Sequence, residues 1–163
     1  MNHTIFTTRN TSKGRFVQNM IGVAISTIFL YWCAMRMAKT ADELERLWRF
    51  SEAESVGTSA IMLIVVATVS AVLETLYHMM HFKSHADVYQ DRIVGKGIQK
   101  IALQDFDLRL DQIVDISQTK GFLNVGKDKN TFLVINTASG SYKISTTVDC
   151  ASQIMEFYRK NKL

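Results

Sequence analysis

The chain has 163 residues, 47% of them hydrophobic and 21% charged, with 19 Lys and Arg against 15 Asp and Glu. A net charge of +4, spread along the chain, is too small to suggest a polyanion-binding protein and is ordinary for a protein beside anionic lipid. The apolar residues are unevenly distributed: Phe16 to Met35 and Ser55 to Leu73 are stretches of 20 and 19 residues without a charge, which excludes an ordinary soluble globule as the leading reading.

Residues 1–15 carry Arg9, Lys13 and Arg15 and no acid, and are read as a short basic tail of poor order. The first apolar stretch is longer than the core of a secretory signal, has no clear small-x-small cleavage site, and is flanked by Arg15 and by Arg36 with Lys39. It is therefore expected to be a retained span, with Tyr31 and Trp32 suited to an interfacial belt and Gly22 and Ser26 to close helix approach. In the connection, Thr40 and Glu43 have capping-box spacing ahead of Leu44, Leu47 and Trp48. This predicts either a short amphipathic surface helix over 40–50 or an extension of the flanking spans. The second span continues in helical pattern to Phe82, about 42 Å from Ser55 at ~1.5 Å per residue. It outruns a hydrocarbon layer of about 30 Å. Together, residues 16–82 predict an antiparallel transmembrane hairpin.

Two spans put both chain ends on one side. The uncompensated basic tail favours the cytoplasm, and hence a bacterial inner, or cytoplasmic, membrane protein with both termini and the C-terminal domain inside. In the hairpin, Glu74 follows the second apolar stretch directly, where an acid is costly unless it pairs or snorkels. The start of span one carries Arg15, Gln18 and Asn19, so a polar cluster of Glu74 with one or more of these is expected to set hairpin register. Glu74, His78, His81 and His85 lie on one helical stripe. A single stripe spreads ligands over about 16 Å, so no metal site is predicted. A proton or ion path lined by Glu74 and the histidines is the sharper alternative.

Residues 83–163 change character. Short alternating runs, Ile101 to Leu103, Phe106 to Leu110, Ile113 to Ile116, Thr131 to Ile135 and Tyr142 to Ile144, are separated by turn signals at Gly121, Gly126 to Asp128 and Ser139 to Ser141, and Gly95-Lys96-Gly97 reads as a turn or bulge. A closing helix with Cys150, Ile154, Phe157 and Tyr158 on one face would be capped by Asp149 or Thr146. Consecutive strands and one amphipathic helix predict a small β barrel or curled sheet covered by that helix. The fold class is thus an α+β membrane protein, a two-helix hairpin followed by this domain.

The segments DVYQDRIVGKG at 87–97, LRLDQIVDISQTKG at 108–121 and NTFLVINTASGSYKI at 130–144, with the helix at 149–160, resemble bacterial pleckstrin-homology-like (PH-like) domains, many of which follow two N-terminal membrane spans. The resemblance implies a split barrel used as a scaffold or oligomerisation module. Phosphoinositide recognition is not expected, because Arg92, Lys96 and Lys100 are offset by Asp87 and Asp91.

No nucleophile elbow, phosphate loop, paired-cysteine metal motif or zinc-protease motif occurs, and Asp105, Asp107, Asp111 and Asp115 are expected to face solvent. Cys33 and Cys150 are not expected to form a disulfide. The function expected is that of a non-enzymatic membrane subunit, without cofactor, small-molecule substrate or nucleic acid. Its partners would be the lipid bilayer and other membrane subunits or further copies of itself. An anionic-lipid adaptor is a further alternative. Arg92, Lys96, Lys120, Lys127 and Lys129 are the candidate contacts to partner or lipid.

Overall fold

The computed structural model describes residues 4–9, 13–120 and 130–162. The chain divides into two compact units, a helical one of Val17–His78 and a sheet unit assembled from both flanks, Met1–Phe16 and Met79–Leu163.

The helical unit is built on α1 (Lys13–Arg46) and α2 (Phe50–Lys83), each of 34 residues. Both are long and apolar enough to cross a membrane by length and composition, and only 11% of each most apolar window is buried. The separate surface helix expected over 40–50 does not form. No Gly or Pro interrupts 35–46, whose Met, Ala, Lys, Glu, Leu and Arg residues favour continued helix. Thr40, inside α1, donates its hydroxyl back to Arg36 O at 3.1 Å instead of capping anything.

The turn between the helices has Schellman geometry: Trp48 N–H donates to Glu45 O and Arg49 N–H to Leu44 O, both at 3.0 Å. The C′ position of that motif requires left-handed backbone and is usually Gly, yet here it is Trp48 at φ +62° with 82% of its surface exposed. Contacts along the hairpin are made through small side chains, Ala34, Ala53, Ala60 and Ala67 all being buried.

The sheet unit is a curled antiparallel half-barrel. Its strands are β1 (Phe6–Thr7), β2 (His85–Val88), β3 (Arg92–Gln99), β4 (Ala102–Arg109), β5 (Ile113–Lys120), β6 (Asn130–Thr137) and β7 (Gly140–Thr147), closed by helix α3 (Val148–Asn161). Strand order is β1-β2-β3-β7-β6-β5, with β4 on the other edge of β3. The expected turns at Gly121 and at Gly126 to Asp128 lie outside the described residues.

Within the basic N-terminal tail, Phe6 and Thr7 are ordered as strand β1: Phe6 pairs with Val88 and Thr7 with Asp87, so β1 extends the sheet. Gly95-Lys96-Gly97 is neither a turn nor a bulge but the middle of β3, in unbroken register with β4 from Arg92↔Arg109 to Gln99↔Ala102. Glycine is required there because neighbours approach closely. A Cβ on Gly95 would strike the backbone carbonyl of His85, and one on Gly97 would lie 2.8 Å from Tyr142 Cβ.

Inside the curl, Ile93, Phe106, Ile116, Leu133, Ile135 and Ile144 form the core that α3 covers with Ala151, Ile154 and Tyr158. The i, i+3, i+7 spacing of these three places them on one face. The cap is Thr147, one residue after Thr146 and two before Asp149, its hydroxyl accepting from Cys150 N at 3.4 Å. Tyr158 donates its hydroxyl to Ile113 O at 2.7 Å, and Lys162 Nζ reaches Ile113 O and Val114 O, so α3 also satisfies carbonyls at the start of edge strand β5.

Left-handed backbone costs a non-glycine residue about 1 kcal/mol or more. Trp48→Gly is accordingly expected to stabilise the turn by about 1 kcal/mol. Thermal melting of the full chain in detergent checks this; a melting temperature lowered by the substitution would contradict it.

Candidate functional site

Within the helical unit, three contacts define how α1 and α2 run side by side. Asn19 Nδ2 lies 3.2 Å from His78 Nδ1, Tyr31 Oη 2.6 Å from Thr68 Oγ1, and a Cβ on Gly57 would be 3.8 Å from that of Ala41. The paired numbers add to 97–99, so Glu74 stands level with residues near 24 on α1, about one turn beyond Asn19. The residue the register brings to Asn19 is His78. Glu74 is exposed and makes no hydrogen bond or ion pair among the described residues, and Gln18 is likewise exposed. Arg15 belongs to the other unit. Of the residues expected around Glu74, Asn19 instead meets His78, a contact that sequence spacing did not single out.

The same register staggers the two apolar stretches. Phe16 to Met35 and Ser55 to Leu73 overlap only over about residues 25–35 of α1, because Ser55 stands level with position 43. Between the helices, a shallow groove of about 300 Å³ is lined by Thr27, Tyr31, Thr68, Ala71, Val72 and Thr75, among others.

The histidine stripe also divides. α2 ends at Lys83, so His85 belongs to β2. His81 is buried in the sheet unit with its ring 5.0 Å from that of Phe132. Among the described residues, no group of three or more His, Cys, Asp or Glu could hold a metal ion. Cys33 and Cys150 are free thiols.

In the sheet unit, Arg92 pairs with Asp91 at 3.1 Å and Asp107 at 3.4 Å, and Lys96 with Asp105 at 3.1 Å. These are cross-strand or neighbouring surface pairs, each of small worth. A cleft of about 450 Å³ lies between Asp91, Arg92, Arg109, Asp111 and Lys162. Its cations are already engaged: Arg109 with Asp111 at 3.5 Å, and Lys162 Nζ with two backbone carbonyls. Lys127 and Lys129 lie outside the described residues, as does the side chain of Lys120, which closes β5.

The best-built polar centre joins the N-terminal strand to the sheet. Asp87, with its side chain 10% exposed, accepts from Arg9 Nη2 at 2.6 Å, Arg9 Nε at 3.0 Å and Thr7 Oγ1 at 2.6 Å. Thr8 accepts from Ala86 N at 2.7 Å, and Phe6 meets Phe157 edge-on at 6.0 Å. Sequence reading missed this centre, although Ile5-Phe6-Thr7-Thr8 is a short β-prone run that could have signalled it.

No family model, curated protein or solved structure matches this chain.

Burial of Asp87 opposes its ionisation, but hydrogen bonds from Arg9 and Thr7 and the guanidinium charge outweigh it, holding the carboxyl below its ordinary value of 3.8. Such a group adds stability that is complete above the unfolded pKa and is lost as pH falls through the lower folded value. With Arg9 60% exposed, the effect is expected to be about 1 kcal/mol. Urea midpoints of the full chain should fall more steeply below pH 3.8 for the natural chain than for Asp87→Asn; equal slopes would remove Asp87 as the acid-sensitive group.

Proposed function

We propose that the chain is a non-enzymatic subunit of a bacterial inner-membrane assembly. Its helical hairpin spans the bilayer, and its half-barrel is a PH-like module making protein–protein contacts on the cytoplasmic side. One observation carries the membrane part of this reading: large apolar side chains along both helices, such as Ile28, Met35, Ile61 and Leu73, are more than 60% exposed. Water would penalise such belts heavily, whereas acyl chains or neighbouring helices cover them at no cost.

The pairing of β1, ahead of α1, with β2, after α2, supports a hairpin whose two ends share one side of the bilayer. Arg9, Lys13 and Arg15 favour the cytoplasm for that side. The stagger of the apolar stretches leaves Glu74 at one margin and Arg36 at the other, each long enough to reach toward water.

The contact role is supported by strand β4. It is eight residues long, pairs only with β3, and its other edge has no strand partner among the described residues. A long open edge is a ready site for strand addition by another chain. The charges along β4, Asp105, Asp107 and Arg109, disfavour indiscriminate pairing, and antiparallel self-pairing centred on Phe106 would set Asp105 of one copy against Asp107 of the next. The edge therefore suits a different chain better than a second copy.

The test is the particle mass of the full chain extracted from native membranes in mild detergent. The expected particle is larger than one chain. Prolines at Gln104 and at Asp105 are made separately: of two neighbouring N–H groups, one points to β3 and the other outward. The variant that keeps its melting temperature should shrink the particle. A single-chain particle from native membranes would contradict the reading.

A further inference from the structure

Where α1 begins and α2 ends, the sheet unit gathers an unusual set of side chains. Phe16 stacks on Phe82 with ring centroids 4.6 Å apart. In the same unit the buried ring of Phe132 carries the Lys143 ammonium at 4.1 Å and the Arg15 guanidinium at 5.6 Å from its centroid. The two cations thus lie within about 10 Å of each other. Neither forms an ion pair with any carboxylate among the described residues, in contrast to Arg9, Arg49, Arg92, Lys96 and Arg109.

Aromatic stacking orients these charges but does not neutralise them. Arg15 Nη1 is moreover buried without a hydrogen-bond acceptor among the described residues. A guanidinium N–H removed from water and left unpaired is costly, and such an atom in a folded protein calls for an acceptor. Two uncompensated cations, one with an orphaned donor, ask for an anion with several acceptor oxygens. A phosphate ester meets that demand, since its oxygens accept from both a guanidinium fork and an ammonium.

We infer that Arg15 and Lys143, seated on Phe132, form a phosphate-binding site whose ligand is the phosphate group of an anionic lipid. The lipid assignment rests on the membrane reading above: Arg15 immediately precedes the apolar stretch, and aromatic and cationic side chains in that position match the headgroup level. The site is distinct from the β3–β4 surface, where Arg92 and Lys96 already have carboxylate partners.

The full chain is placed in nanodiscs of phosphatidylcholine with a minor share of phosphatidylglycerol, and the lipids it retains are measured by native mass spectrometry. Phosphatidylglycerol should be enriched over phosphatidylcholine. Arg15→Gln and Lys143→Gln should each lower that enrichment roughly fivefold, the worth of one cation at an anionic surface. Lys96→Gln should leave it unchanged. Lys143 is the second variant in case loss of Arg15 disturbs folding, which a melting curve reports. Retention unaltered by Lys143→Gln in a folded chain would overturn the lipid assignment, and the absence of a Lys143-dependent response to inorganic phosphate as well would overturn the site.

Inorganic phosphate distinguishes the sources: a rise in melting temperature that needs Lys143 but no lipid supports the phosphate site and reassigns its ligand to a soluble ester. Trp32 provides the separate check on the membrane reading. In Trp48→Phe it is the sole tryptophan, and acyl-brominated lipid should quench it. Absence of quenching would refute the span, and with it the lipid source, while leaving the phosphate arm to decide the site.

Discussion

The structure depends on one antiparallel pairing, that of β1 with β2. Phe6 and Val88 are separated by the whole helical hairpin, yet they are partners in the sheet. A flexible loop of that length would make such a contact entropically unfavourable. Two helices of equal length joined by a three-residue turn remove the difficulty, because they return the chain to where it started. The Phe16–Phe82 stack lies at that point of return. Once the hairpin has formed, β1 and β2 are effectively local. Asp87 then makes the pairing specific, as a mostly buried carboxylate that needs the donors Thr7 and Arg9 bring.

The hairpin answers to a different constraint. Its contacts run through alanines, a hydroxyl pair at Tyr31 and Thr68, and the Asn19–His78 amide–imidazole contact. Small side chains permit close approach but specify register weakly, so the polar pairs carry the register. The register they set does not align the two apolar stretches. Each helix therefore brings polar groups alongside apolar stretches of its neighbour: Glu74 and His78 beside the first stretch, Arg36 and Lys39 beside the second. A stagger of this kind gives the hairpin an apolar belt broader than either stretch alone but interrupted at both margins.

Much of this was legible in the sequence wherever side-chain period decides structure. The two uncharged stretches, the alternation in β5 to β7, and the Ile154 and Tyr158 face of α3 all follow from period and composition. What was not legible depended on distant partners. Gly95 and Gly97 look like punctuation until His85 and Tyr142 are seen packed against them. The capping-box spacing at Thr40 is real, but strong helix formers on both sides override it. Residues 5–8 are too short a β-prone run to be recognised without β2 beside them. Glu74 was placed by counting from the end of a stretch, whereas its position is set by helix register. Arg15 and Lys143, far apart in sequence, meet only on Phe132.

The most direct test of this account is a cysteine pair at the β1–β2 contact. Thr7 and Asp87 face each other across the two strands, with side-chain oxygens 2.6 Å apart. In a chain with Cys33 and Cys150 replaced, Thr7→Cys and Asp87→Cys should form an intramolecular disulfide under mild oxidation in intact membranes, read as a mobility shift reversed by reductant. Failure to cross-link, or cross-linking only between chains, would contradict a sheet completed by the segment ahead of the hairpin.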